Sequence, residues 1–194
     1  ESVSVETIEQ SLDEAAVRGI GRQIRGAKAG AVAIGLLHAY VDGRHERRVA
    51  ELLAAELDPA TTICLSSEVC PEMREYERFS TTCANAYVRP MMSGYLARLR
   101  EMLDHKGLGC PLFLMMSGGG LTTLESARRF PIRLVESGPA GGAILGGHIA
   151  RECGLDHVLA YDMGGTTAKI CLIDHGEPER ARKFEVARMY RDLK

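Results

Sequence analysis

The segment "DMGGTT", residues 162–167, places a carboxylate, two adjacent glycines and two hydroxyl groups in six consecutive positions. Strand patterns at 157–163 and 168–174 flank its turn, which predicts an antiparallel β-hairpin. Glycine tolerates positive φ and has no Cβ, so backbone N–H groups in this turn can approach a phosphate. The Asp162 carboxylate can hold Mg²⁺ directly or through water. An ordinary Gly-Gly turn has the same spacing, so the segment alone leaves both interpretations open.

Two further glycine-rich turns precede the hairpin. "MMSGGGL" (115–121) ends an apolar run, and "ESGPAGG" (136–142) begins a helix predicted over 137–153. The N-terminus of a helix offers unpaired N–H groups and a dipole that favours anions. Together the three turns indicate a nucleotide cleft. Neither G-x-G-x-x-G nor G-x-x-x-x-G-K-[ST] is present, which disfavours Rossmann and P-loop folds.

The remaining pattern alternates strands and helices, which predicts an α/β fold with at least partly parallel pairing. A first helix with a Thr7–Gln10 capping box precedes the first strand, and Pro90 separates two helices over 71–109. Thr122 and Glu125 form a second capping box, and no linker composition marks an internal boundary. The other predicted segments are strands at 29–40, 61–67 and 110–116 and a helix at 45–57.

Composition excludes several classes of function. Charged residues make up 26% of the chain and the net charge is −2, with no basic patch, which disfavours nucleic-acid binding. No apolar run approaches the roughly 20 residues that span a bilayer, so we expect no membrane segment. The six cysteines form no C-x-x-C pair. We therefore expect reduced, structural cysteines, which together with the use of a nucleotide predict a cytoplasmic location.

Several other side chains have two interpretations. His38 and His45-Glu46 could ligate a metal, although they lack the spacing of H-E-x-x-H and are better explained as satisfied or solvent-facing groups. "REYER" (74–78) could contact a substrate or subunit, or form ion pairs on a helix surface. Lys169 could pair with a phosphate, although we favour a solvent-exposed side chain. No G-x-S-x-G elbow is present, which disfavours a self-sufficient hydrolase triad.

Four motifs in order are more specific: "REYERFSTTCANAYVRPMMSGYLARL", "LMMSGGGL", "VESGPAGGAILGG" and "AYDMGGTTAKICLIDHGEP". This series resembles the A-type subunits of the hydantoinase/oxoprolinase family, which includes N-methylhydantoinases, 5-oxoprolinase and acetone carboxylase subunits. The hairpin also resembles the phosphate hairpin of the actin, sugar-kinase and heat-shock chaperone superfamily. The resemblance implies an actin-like, ribonuclease-H-like ATPase domain fragment, with a mixed sheet, flanking helices and a C-terminal phosphate-binding hairpin. Residues 1–194 would be its central part, without the first phosphate hairpin and the downstream nucleotide-binding region.

The resemblance also implies a reaction. ATP would phosphorylate the carbonyl oxygen of a cyclic amide, of the hydantoin or 5-oxoproline type, before hydrolysis, and Asp162 would serve catalysis by orienting Mg²⁺. A B-type partner subunit or fused domain is implied as well. An ATP-dependent carboxylase subunit and a non-catalytic actin-like ATP-binding module remain alternatives. The implied nucleotide-binding residues are Gly164, Gly165, Thr166, Thr167, Ser117, Gly118, Gly119, Ser137, Gly138 and Gly141.

Overall fold

The computed structural model describes residues 11–165 and 167–180. These residues form two compact units: residues 11–112 with 124–132, and residues 113–123 with 133–180. No linker in the sequence marks this division. The chain passes between the units after Leu112, Thr123 and Ile132. Because none of these crossings is a long Gly- or Pro-rich linker, composition gives no signal for the boundary.

The first unit is built on two short parallel strands and the helices around them. Ala31 pairs with Thr62 and Ile34 with Leu65 in parallel register. Parallel strands need a crossover connection, which the helix between them supplies, as the sequence predicts. The elements of this unit are α1 (Glu14–Gly26), β1 (Ala31–Ile34), α2 (Arg44–Ala54), β2 (Thr62–Leu65), α3 (Ser66–Val69), α4 (Glu75–His105) and α5 (Leu124–Arg129).

Apolar side chains cover both faces of this two-stranded sheet, because successive residues of a strand point to opposite sides. One cluster joins the sheet to α1 and α2, and the other joins it to α4. The first comprises Val17, Ile34, Leu52, Leu53, Leu57 and Leu65. The second comprises Cys64, Val69 and Ala86, with Phe130 and Ile132 packed against it.

The start of α1 differs from the prediction. Asp13 is the N-cap, and its carboxylate accepts a hydrogen bond from the Ala16 N–H at 2.9 Å. The predicted Thr7–Gln10 capping box lies outside the described residues. On α1, Val17 and Gly21 are buried, whereas Ile20 is 51% exposed although helical spacing predicts it on the apolar face.

Helix α4 is continuous, so the predicted break near Pro90 is wrong. Proline inside a helix removes one backbone hydrogen bond and costs about 3 kcal/mol. Buried side chains lie on both sides of this position, Asn85 and Ala86 before it and Leu96 after it. Packing of both halves of α4 against the unit therefore offsets the cost of proline. From the sequence pattern alone, that cost predicts a break in the helix.

In the described part of the second unit, all strand pairs are antiparallel. Its elements are β3 (Phe113–Met115), β4 (Leu121–Thr123), α6 (Ser137–Cys153), β5 (His157–Met163), β6 (Ala168–Asp174) and β7 (Glu177–Pro178). Among the described residues the strands form three separate sheets, β1-β2, β3-β4 and β5-β6-β7, instead of the single mixed sheet expected. Thr122 lies in β4, so it does not cap a helix as predicted.

Helix α6 packs against one face of the β5–β6 hairpin through glycines. A Cβ added at Gly146 would lie 2.9 Å from Ile173 Cδ1, and one at Gly147 would lie 2.6 Å from the Gly176 carbonyl oxygen. The opposite face of the hairpin is apolar and at least 55% exposed at Leu159, Tyr161, Met163, Ile170 and Leu172. No helix in the described part of the chain combines the length and apolar character that crossing a bilayer requires.

Candidate functional site

The predicted hairpin is confirmed, with both strands at the predicted positions. Met163 pairs with Ala168 and Asp162 with Lys169. The Gly164 N–H donates to the Thr167 carbonyl at 2.9 Å and closes the turn. Thr166 lies outside the described residues.

The two turn glycines act differently from the prediction. Neither Gly164 nor Gly165 is among the glycines with positive φ, so the turn does not require glycine for its backbone conformation. What both positions offer is space. Among residues 11–165 and 167–180, a Cβ at Gly165 would meet nothing within 4 Å, and one at Gly164 would meet only the Thr167 carbonyl oxygen at 3.9 Å. An open backbone is available for close approach of a ligand.

Asp162 lies on the α6-facing side of the hairpin. Ala160 and Ile173 contact α6 at Gly146. Because side chains alternate along a strand, Asp162 shares the face of Ala160, and Lys169 shares the face of Ile173. The two charged side chains therefore occupy opposing positions next to the turn, on the side that carries the helix.

Lys169 is not simply solvated. Its ammonium pairs with the Glu136 carboxylate, and both side chains are about two-thirds buried. The preference for a solvent-exposed Lys169 was wrong, because the sequence does not show that Glu136 lies beside the hairpin. Glu136 is the N-cap of α6, with φ +66°, yet its side chain caps no helix N–H.

The turn between β3 and β4 also contacts α6. The Ser117 N–H and Oγ both donate to the Arg133 carbonyl, at 2.8 and 3.0 Å. Gly119 has φ +85°, and a Cβ there would lie 2.9 Å from Ile144 Cδ1, so this position requires glycine. Gly118 is exposed, with nothing within 4 Å of an added Cβ.

The N-terminal turn of α6 completes the set of predicted segments. Ser137 is half-buried, Gly138 is exposed, and Gly141 packs against Met115. The Glu136–Lys169 pair connects this turn to the hairpin, while Gly119 and Gly141 connect α6 to the first turn. Within the second unit, the structure thus brings two glycine-rich segments, the hairpin turn and the β3–β4 turn, to α6. The N-terminal turn of α6 is the third segment. Their binding of phosphate stays a prediction.

The ligands of a metal ion at this site would be the Asp162 carboxylate and the phosphates of the nucleotide. Asp162 is exposed, and residues 11–165 and 167–180 contain no group of three His, Cys, Asp or Glu side chains arranged to hold a metal. Mg²⁺ typically keeps several waters and binds one or two carboxylates plus substrate phosphates. A single open carboxylate beside an open backbone turn fits that mode of binding.

The first unit contains a buried polar network that the sequence did not reveal. Glu46, Ser66 and Arg78 are fully buried, so Arg78 of "REYER" is a core residue and not part of a surface network. Arg78 donates to the Ser66 hydroxyl at 3.1 Å, to the Glu72 and Leu36 carbonyls at 3.0 and 2.9 Å, and to Glu75 at 3.2 Å. The only hint in the sequence is the density of charges in this motif.

Glu46 is a hydrogen-bond acceptor in this network. Its carboxylate accepts from the Leu36 N–H, the Ser66 hydroxyl and the Ser67 N–H. These bonds hold the loop after β1 to the start of α3. The network therefore fixes the loop after β1 and the start of α3, which both lie at the carboxyl ends of the parallel strands.

Glu75 ties the loop after β1 to α4. Hydrogen bonds from the His38 N–H and then from Arg78 hold the pKa of Glu75 below its usual value near 4.5. His38 and Arg74 both have positive φ, +58° and +82°, which is uncommon for residues with a Cβ. The hydrogen bond from the His38 N–H to Glu75, at 3.2 Å, helps to hold the first of these two conformations.

Comparison with known proteins identifies the family. The hydantoinase/oxoprolinase model matches residues 78–194, and the model of the N-terminal region of the same family matches residues 1–57. The chain belongs to the hydantoinase/oxoprolinase family.

Curated relatives in this family include enzymes with different reactions. Caprolactamase subunit alpha of Pseudomonas jessenii is 33% identical over 91% of this chain and 25% of that protein. The acetone carboxylase beta subunit of Xanthobacter autotrophicus is 26% identical over 94% and 26%, respectively. The 5-oxoprolinase of Saccharomyces cerevisiae is 30% identical over 86% of this chain and 13% of that protein.

Two solved structures show that the mixed α/β architecture is shared within the hydantoinase/oxoprolinase family. The ATP-dependent caprolactamase of P. jessenii superposes with a TM-score of 0.77, at 34% identity over 89% of this chain and 25% of that one. Nucleotide-free acetone carboxylase, described as carrying out ATP-dependent acetone carboxylation, gives 0.75, at 26% identity over 86% and 24%. The chain spans about a quarter of the length of these relatives.

Proposed function

We propose that this chain supplies a phosphate-binding part of the ATP site of an ATP-dependent enzyme that opens a cyclic amide. The observation that carries the proposal is the juxtaposition of Asp162 with an open glycine turn on the α6-facing side of the hairpin. Solved relatives include an ATP-dependent caprolactamase and an acetone carboxylase. The proposal includes the actin-like, ribonuclease-H-like assignment of the fold, with residues 1–194 as the central part of that ATPase domain.

Each element of the site has a physical role. Backbone N–H groups at Gly164 and Gly165 would donate to the phosphates, and Thr166 and Thr167 would add hydroxyl donors. Asp162 would orient the Mg²⁺ that accompanies ATP. Such sites accelerate phosphoryl transfer mainly by positioning the groups and stabilising charge.

The other two segments would border the same site. Ser117, Gly118 and Gly119 would line it, while Ser137, Gly138 and Gly141 would present the N-terminus of α6 to the nucleotide. Bound ATP would supply a phosphoryl group for the carbonyl oxygen of the amide. ADP would leave as the carbonyl oxygen takes the phosphoryl group. Water would then add to the carbonyl carbon and the C–N bond would break, which opens the ring and gives an amine and an acyl phosphate. A second water would hydrolyse the acyl phosphate and release inorganic phosphate.

Partners and location follow from the same proposal. Two of the relatives are named as subunits, alpha of caprolactamase and beta of acetone carboxylase. We accordingly expect a second subunit or fused domain of the B type. All six cysteines are reduced thiols, and ATP is abundant in the cytoplasm, so a cytoplasmic location suits this chemistry.

The test uses the full-length protein. Mg·ATP is titrated into the wild type and into Asp162→Ala, and ATP hydrolysis is measured with caprolactam, a hydantoin and 5-oxoproline. We expect Asp162→Ala to weaken Mg·ATP binding at least about tenfold, which corresponds to ~1.4 kcal/mol. Asp174→Ala is the matched control, since Asp174 lies at the far end of the same hairpin, opposite His157.

The outcomes separate the candidate functions. Tight Mg·ATP binding that is unaffected by Asp162→Ala would contradict the proposed site. The likeness to acetone carboxylase also favours a carboxylase as a second candidate function. ATP hydrolysis that requires bicarbonate would support that candidate. Nucleotide-dependent subunit association without stimulation by any substrate would support a non-catalytic ATP-binding module.

A further inference from the structure

The contact between Lys169 and Glu136 has no role in the site as proposed so far. Lys169 occupies the position opposite Asp162, one pair away from the turn-flanking pair Met163–Ala168. Its ammonium is thus a cation on the α6-facing side of the hairpin, next to the proposed phosphate positions. An ammonium is a compact point charge that binds phosphate oxygens well.

Glu136 occupies the N-cap position of α6, but its side chain does not cap the helix. The side chain of an Asp, Asn, Ser or Thr at an N-cap accepts a hydrogen bond from an N–H group of the first helical turn, and glutamate is not among these preferred residues. The Glu136 side chain makes no such bond and pairs with Lys169 instead. Its backbone also adopts φ +66°, a conformation that is uncommon for a residue with a Cβ. The carboxylate therefore neutralises Lys169 at the place where an anion would bind.

We infer that Lys169 is a nucleotide-phosphate ligand and that Glu136 is the anion it exchanges for phosphate. This inference rests on the proposed function. In the absence of nucleotide, Glu136 satisfies the Lys169 charge; when a polyphosphate enters, Lys169 pairs with phosphate oxygens instead. Glu136 is then a negative charge close to a negative ligand, so it lowers the affinity that Lys169 raises.

The two residues should consequently have opposite effects on binding. Lys169→Met removes a charge-assisted contact, and we expect Mg·ATP affinity to fall about tenfold or more. Glu136→Gln keeps the shape of the side chain and removes the competing charge, and we expect affinity to rise about three- to tenfold. Lys169→Arg keeps the charge and should retain most of the affinity.

The experiment is calorimetric titration of Mg·ATP and of adenosine into full-length wild type and these three variants, with thermal unfolding of each. Lys106→Met is the control, because Lys106 is an exposed lysine at the end of α4, in the other unit. Adenosine lacks phosphates, so the inference predicts unchanged adenosine binding in every variant.

Three outcomes are informative. Weaker Mg·ATP binding in Lys169→Met together with tighter binding in Glu136→Gln supports the exchange. If wild type binds Mg·ATP but both variants bind equally well, or both bind more weakly, the pair is structural; the exchange is overturned and the proposed function stands. If folded wild type binds no Mg·ATP, the proposed function fails and the exchange fails with it.

Discussion

The hydroxyl of Ser66 donates a hydrogen bond to the Glu46 carboxylate at 2.6 Å, and both side chains are fully buried. The same hydroxyl accepts from Arg78 Nε at 3.1 Å. A single serine thus bridges a buried carboxylate and a buried guanidinium. Buried charges are costly unless every polar atom is paired, so this network should be sensitive to small changes.

Substitution of Arg78 tests that sensitivity. Arg78→Lys keeps the charge, but one ammonium cannot reproduce a fork that reaches Ser66, Glu72, Leu36 and Glu75. We expect the free energy of unfolding to fall by about 3 kcal/mol, measured by denaturant titration. Arg74→Lys in the same motif is the control; Arg74 is 69% exposed at its side chain and should change stability by less than about 0.5 kcal/mol. Equal effects would contradict the role of the network.

Two glycines of α6 should respond to alanine in opposite directions. Gly147→Ala places a Cβ 2.6 Å from the Gly176 carbonyl oxygen, so we expect a loss of about 1–3 kcal/mol from strain. Gly142→Ala meets no described residue within 4 Å and should stabilise the helix by about 0.5–1 kcal/mol. Thermal unfolding of both variants checks the sign. A stabilised Gly147→Ala variant would show that α6 does not pack on the β6–β7 turn in this way.

Gly165→Ala separates folding from binding. Gly165 does not have positive φ, and an added Cβ has open space, so the stability should change by less than about 0.5 kcal/mol. A methyl group in the turn would nevertheless keep phosphate from the backbone, and we expect Mg·ATP affinity to fall about tenfold or more. Gly109→Ala, which also has open space, is the control. Unchanged affinity in Gly165→Ala would remove Gly165 from the proposed site.

Stability should depend on Glu75 in acid. The pKa of Glu75 is lowered by the hydrogen bond from the His38 N–H and then by the one from Arg78. A carboxyl group whose folded pKa is depressed contributes stability above its unfolded pKa, near 4.5, and loses it as the pH falls through the folded value. We expect a smaller loss of stability between about pH 5 and pH 3 in Glu75→Gln than in wild type. Glu101→Gln, exposed on the same helix, should retain the wild-type slope.

Some of these features follow from the sequence because they are local. The β5–β6 hairpin and helix α6 have the predicted bounds, since strand alternation, short turns and a glycine after the helix are encoded in neighbouring residues. The parallel pairing of β1 and β2 also follows, because the helix between them leaves only a crossover connection. The motif series likewise identifies the family that the comparisons confirm.

Other features depend on partners far along the chain. Pro90 stays inside α4 because residues on both sides of it are buried against the rest of the unit. Arg78 is buried because Leu36, 42 positions away, offers it a carbonyl. Lys169 has a partner because α6 brings Glu136 to the hairpin. The sequence by itself determined the local elements, the glycine-rich turns and the family; the tertiary structure alone decided which charges meet, because burial and ion pairing are set by contacts between distant segments and not by spacing.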